Sequence, residues 1–150
     1  MSQFQSILLV EDSPKDAELC HEGLAEHNLA NAVQHVSDGV EALDYLHRRG
    51  PFASRANGLP VLILLDLKMP RMDGLELLRQ LKSDATLRRI PVIVMTTSHE
   101  ERDIVESQRL GAIAYVLKPV RFAEFLDSVA ALGVGCALVE PLGQKESAAD

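Results

Sequence analysis

The chain has 150 residues, 47% hydrophobic and 25% charged, a size and balance that suit one soluble globular domain with its own core. Fifteen Lys and Arg against 22 Asp and Glu leave a net charge of −7 and no basic stripe, which excludes nucleic acid as the expected partner. Cys20 and Cys136 lie far apart without metal-ligand spacing, and the apolar run nearest the amino terminus, Ile7 to Val10, is too short for a signal peptide or membrane span, so a reducing, cytoplasmic setting is expected.

Apolar runs alternate with amphipathic segments along the chain, the pattern of a (βα) repeat around a parallel sheet. Residues 6–11 read as the first strand. Ser13-Pro14 then opens a helix, with Ser as N-cap, Pro at the first helical position and Asp16 in the first turn; Ala17, Cys20 and Leu24 mark its buried stripe. A short strand over 32–36 leads through Ser37-Asp38-Gly39 into a helix with Val40, Leu43 and Leu46 on one face. Residues 49–60, with two glycines, two prolines and no periodicity, read as a surface loop.

The third strand, 61–66, feeds a loop over 67–74 and a Leu-rich helix from 75 to about 83. Strand four covers 90–95. Ser98-x-x-Glu101 has the spacing of a capping box for a helix reaching about 110, and Gly111 supplies its stop. Strand five, 112–117, precedes a last helix, 121–132, with Phe122, Phe125, Leu126 and Val129 at helical spacing as its core face. The domain division is thus 1–132 and a carboxyl-terminal extension, 133–150. Within the extension, residues 133–142 are too apolar for a solvated linker and either fold back or pair with another chain as a dimerisation arm, while 144–150 have the composition of a disordered tail.

Four of the apolar runs end in groups that handle phosphate or a divalent cation: Glu11-Asp12, Asp66, Thr96-Thr97 and Lys118-Pro119. In an open parallel sheet ligands bind outside the carboxyl ends of the strands, so these groups are expected to converge on one edge. Glu11 and Asp12 alone read as two solvated carboxylates at a turn. Asp66 ends the most apolar run, where an unpaired carboxylate is costly unless it is a ligand or a nucleophile. A carboxylate nucleophile forms an aspartyl-phosphate, a step that needs a cation and gains from a fixed positive charge such as Lys118. Mg²⁺, a hard ion that prefers oxygen ligands, suits Glu11 and Asp12.

Leu9-Val10-Glu11-Asp12, Leu65-Asp66-Leu67-Lys68-Met69-Pro70-x-x-Asp73-Gly74, Met95-Thr96-Thr97 and Leu117-Lys118-Pro119 together resemble the motif set of two-component response regulator receiver domains. The resemblance spans about residues 5–132. It implies an α/β, doubly wound, flavodoxin-like (βα)5 fold with strand order 2-1-3-4-5. It also implies that Asp66 accepts a phosphoryl group from a histidine kinase phosphohistidine. Asp12, Asp66 and the backbone carbonyl of Lys68 would ligate Mg²⁺, with Glu11 acting directly or through water. Lys118 would pair with the phosphoryl group, Thr96 would hydrogen-bond it, and Tyr115 matches the aromatic switch. The face built from the fourth helix, fifth strand and fifth helix would carry the readout, as a homodimer or another protein contact.

Lys68 stands where many receivers carry Asn or Met, and Ser98 occupies the other position that tunes dephosphorylation in that family. A cation there either repels or misplaces the hydrolytic water, giving a phosphoryl lifetime of minutes or longer, or extends into solvent. The loop over 49–60 and the apolar extension look like the single-domain regulators that partner phytochrome kinases, so a bacteriophytochrome is the candidate kinase. A non-enzymatic signalling module is expected, with output by protein contact, since 18 residues after Leu132 leave no room for a DNA-binding or catalytic domain. The rival classes fit less well. A Mg²⁺-dependent phosphohydrolase would want an acid at position 68, and a flavin carrier would want a phosphate loop where Glu11-Asp12-Ser13-Pro14 stands.

Overall fold

A computed structural model describes residues 6–26, 32–56 and 58–132, so the expectations for residues 133–150 lie outside the described residues. Along the chain run β1 (Ile7–Val10), α1 (Pro14–Glu26), β2 (Val33–Val36), α2 (Gly39–His47), β3 (Leu62–Leu65), α3 (Gly74–Ser83), β4 (Val92–Thr96), α4 (Glu101–Arg109), β5 (Ala114–Leu117) and α5 (Phe122–Leu132). The five strands pair in parallel in the order 2-1-3-4-5, the doubly wound, flavodoxin-like topology.

Strands β1, β3 and β4 are buried along their whole length because helices cover both faces of the sheet. Alternate residues feed two separate cores, as the period of two requires. Leu8, Val10, Ile63, Leu65 and Val92 pack with Ala42, Tyr45 and Leu46 of α2 and Leu77, Leu78 and Leu81 of α3. Ile7, Leu9, Leu62, Leu64, Ile93 and Met95 face Ala17, Cys20 and Leu24 of α1 and Phe125, Leu126 and Val129 of α5. Each fully buried Leu or Ile contributes about 1.5–3 kcal/mol, so the paired cores hold the central strands firmly.

Local signals account for most boundaries. Ser13 Oγ accepts the Asp16 amide at 3.2 Å, and Asp38 and Asp73 cap α2 and α3 by accepting the Glu41 and Glu76 amides. Gly111, at φ 99°, ends α4 in a Schellman motif: its amide bonds Gln108 O and the Ala112 amide bonds Ser107 O. Two expectations need correction. Tyr45 and Ala42, rather than Val40, complete the buried face of α2, because that helix turns its Tyr side toward the sheet. Phe122 is only half-buried, its ring lying against Gly23 of α1. The loop over 49–60 contains a 3₁₀ turn, Gly50–Phe52, and is pinned to α2 by Phe52 edge-on to Tyr45 and Arg55 stacked 4.1 Å over the same ring.

Candidate functional site

The carboxyl ends of β1, β3 and β5 deliver three residues whose backbones stay on the sheet's hydrogen-bond ladder after the strands formally end. The Glu11 amide donates to Val36 O of β2, the Asp66 amide to Val10 O of β1, and the Lys118 amide to Thr96 O of β4, at 2.9–3.0 Å. In-register pairing of Val10 with Leu65 sets Glu11 and Asp66 side by side. Asp12 follows at the turn into α1, exposed where Glu11 and Asp66 are buried. One oxygen from each of Glu11, Asp12 and Asp66 lies within 4.8 Å of the others.

Lys118 Nζ reaches Glu11 Oε1 at 2.7 Å, Asp16 Oδ2 at 2.9 Å and Asp66 Oδ2 at 3.6 Å. One ammonium faces three carboxylates with a fourth, Asp12, beside them, so the site carries surplus negative charge. Burial pushes Glu11 up to about 7, against the Lys118 hydrogen bond that pulls it down and with the Asp66 charge adding to the rise. Burial would by itself lower the Lys118 ammonium, but its bonds to Glu11 and Asp16 and the charge of Asp66 leave it raised. A cluster of hard oxygen donors with unneutralised charge fits a divalent cation such as Mg²⁺. The Glu11 carbonyl meets His35 Nε2 at 2.7 Å, a bond in which the imidazole donates. A cavity of about 530 Å³ opens beside Asp66 and Lys118 and runs between α1 and α5 past Leu19, Cys20 and Phe122.

Thr96 is wholly buried at the end of β4, and its hydroxyl accepts the Ser98 amide at 3.3 Å. Tyr115, half-buried on β5, donates its hydroxyl to the Ser98 carbonyl at 3.1 Å. Burial raises the Tyr115 phenol above its usual range. Ser98 thus ties the hydroxyl of β4 to the aromatic of β5. The capping box expected at Ser98 does not form: α4 begins at Glu101 with Glu100 at its N-cap, and the Ser98 hydroxyl, two residues earlier, accepts the Glu100 amide and donates to Asp103 Oδ2 at 2.6 Å.

Lys68 follows Asp66 by two residues, with a side chain 59% exposed. Its amide lies 3.4 Å from Asp66 Oδ1, but its ammonium turns to Asp103 at 3.3 Å. Sequence reasoning missed Asp103, 4% exposed, and gave Asp16 only a place in a helix's first turn. Both side chains meet partners on other elements, and an acid in a first helical turn was the only signal for either. Arg71 was also unassigned. It holds a left-handed φ of 64° and clasps Asp38 with two nitrogens, at 2.9 and 3.1 Å, joining the loop after β3 to the start of α2.

Comparison with known proteins gives a consistent set. The family model described as "Response regulator receiver domain" matches residues 7–130. Response regulator Rcp1 of Synechocystis sp. is 40% identical over 112 residues, 75% of each chain, and the structure of its Mn²⁺-bound form superposes with a TM-score of 0.73 at 34% identity, covering 89% of this chain and 94% of that one. Bacteriophytochrome response regulator RtBRR matches with a TM-score of 0.82 and 46% identity, over 97% of this chain and 89% of its own. The phosphorylated cyanobacterial phytochrome response regulator RcpA matches at 0.72 and 41%, over 85% and 90%.

Proposed function

Because the chain belongs to the response regulator receiver domain family, whose members are signalling proteins, we propose that it accepts a phosphoryl group on Asp66 from the phosphohistidine of a sensor histidine kinase. The observation that carries this reading is the convergence of Asp66, the Glu11–Asp12 pair and Lys118 within hydrogen-bond or near-contact reach at one sheet edge. The Asp66 carboxylate oxygen bonds to phosphorus as the phosphorus–nitrogen bond to the kinase imidazole breaks, its electron pair leaving on the ring nitrogen. Glu11, Asp12, Asp66 and the Lys68 backbone carbonyl would hold Mg²⁺, which would supply positive charge to offset that of the phosphoryl group. Lys118, already facing Asp66, pairs with one of those oxygens, and the Thr96 hydroxyl donates to another.

That donation draws Thr96 toward Asp66. Ser98 is bonded both to the Thr96 hydroxyl and to the Tyr115 hydroxyl, which supports Thr96 and Tyr115 as the switch pair. The output face consists of α4, β5 and α5, where Val105, Ile113 and Leu117 are large apolar side chains left exposed. A second copy of the chain is the partner that face would take, joined by residues 133–142 acting as an arm. The names of the RtBRR and RcpA relatives favour a bacteriophytochrome as the cytoplasmic kinase. Among the described residues no helix is long and apolar enough to cross a membrane.

Incubation of wild type and Asp66→Asn with acetyl phosphate and Mg²⁺, followed by intact-mass measurement, tests the acceptor. One labile phosphoryl adduct is expected on wild type and none on the variant. Equal adducts on both, or none on either, would overturn the assignment.

A further inference from the structure

Asp103 is 4% exposed, and the phosphoryl transfer described above gives it no part. It lies in the first turn of α4, and its Oδ2 receives both the Ser98 hydroxyl at 2.6 Å and the Lys68 ammonium at 3.3 Å. A buried carboxylate is costly unless it is bonded and paired, and these two groups supply both needs. The Ser98 hydroxyl, and then the Lys68 ammonium, outweigh the burial and hold Asp103 below the usual carboxylate range, so it is ionised at neutral pH.

Lys68 is placed differently. Its side chain is 59% exposed, and its backbone amide lies 3.4 Å from Asp66 Oδ1. A four-carbon stem rooted beside the acceptor can carry its ammonium to either of two anions, the Asp103 carboxylate or a phosphoryl group on Asp66. The first is fixed in position before any phosphoryl arrives, because the Ser98 hydroxyl sets its rotamer.

We propose that Asp103 is a positioning residue that holds the Lys68 ammonium on the α4 side of the pocket and so keeps the Asp66 acyl phosphate open to water. The inference rests on Asp66 being the acceptor. In the step it governs, a water oxygen bonds to phosphorus and the phosphorus–oxygen bond to Asp66 breaks. The electron pair returns to the Asp66 carboxylate, and inorganic phosphate and a proton enter solvent. An ammonium freed from Asp103 would move over the phosphoryl oxygens and obstruct the incoming water. The clamp therefore sets a short phosphoryl lifetime, the reverse of what a lysine beside the acyl phosphate would give.

The full-length chain is phosphorylated with acetyl phosphate and Mg²⁺, the donor is removed, and loss of the adduct is followed by intact mass. Wild type, Asp103→Asn, Lys68→Met and the double variant are compared, with thermal melting alongside. Asn keeps an acceptor for Ser98 and removes the charge that holds Lys68. The expected half-life of Asp103→Asn is longer by about threefold or more, a size in keeping with coupling between neighbouring charged groups. The double variant is expected to decay as Lys68→Met does, because Asp103 acts through the ammonium that Met removes. An unchanged or shorter half-life in Asp103→Asn overturns the proposal, as does equal lengthening with Met at position 68. If Asp103→Asn does not fold, Asp103→Ser, which also removes the charge, is read against the same expectation and the same overturning results. No adduct on wild type would overturn the acceptor assignment and this inference with it, whereas an adduct whose decay ignores Asp103 overturns this inference alone.

Discussion

Lys118 stands among more carboxylates than one ammonium can neutralise, and burial disfavours the anionic form of Glu11. Its carboxyl is raised from 4.5 to about 7, so between those values the folded chain binds a proton that the unfolded chain has released. The stability from this group is full below about 4.5 and is lost as pH rises through 7. In metal-free buffer, unfolding free energy measured by denaturant titration should therefore fall from pH 5 to pH 8. Glu11→Gln should flatten that slope by an amount on the order of 1–3 kcal/mol. Added Mg²⁺ should stabilise wild type more at pH 8 than at pH 5, because a ligating carboxylate must first lose its proton. A pH-independent difference between wild type and Glu11→Gln would refute the assignment. Glu11, Asp66 and Lys118 were legible in the sequence because each ends an apolar run. Asp16 and Asp103 were not, because the lysines they pair with, Lys118 and Lys68, arrive from segments that sequence spacing does not connect to them.

At the scale of elements, the join between β3 and α3 leaves the least room. Gly74 opens α3 with its amide on Leu67 O, and a Cβ there would collide with the Asp66 carbonyl oxygen and the Leu67 backbone. Backbone cannot yield as a flexible side-chain tip does, so Gly74→Ala should destabilise the chain by about 1–3 kcal/mol. It should also slow phosphorylation by acetyl phosphate, since relieving the clash shifts the acceptor's own peptide. Unchanged denaturant midpoint and phosphorylation rate would show that the loop absorbs the methyl group. The strands and four of the five helix starts could be read from apolar runs and capping residues. The start of α4 could not, because the Ser98 hydroxyl accepts the Glu100 amide rather than that of Glu101, and the helix begins two residues beyond the expected start.

For the molecule as a whole, the alternation of apolar runs and amphipathic helices was enough to indicate a parallel sheet covered on both faces. The strand order came from the resemblance of motifs, since periodicity alone does not say which strands are neighbours. The surface was less legible. Val105 is 52% exposed on α4, and a sequence gives no sign that the helix turns this residue away from its sheet. With the proposed output face, phosphorylated wild type should sediment as a larger species than the unmodified chain, and Val105→Asp should abolish that difference, with adduct formation measured in the same samples. Equal association of both phosphorylated proteins would move the interface elsewhere.

The amides of Glu11, Asp66 and Lys118 each hang from the last carbonyl of an adjoining strand. The pocket therefore has no separate foundation that could fray while the rest of the molecule stayed intact. Warming or denaturant that separates these strands would dissolve the proposed acceptor pocket in the same event.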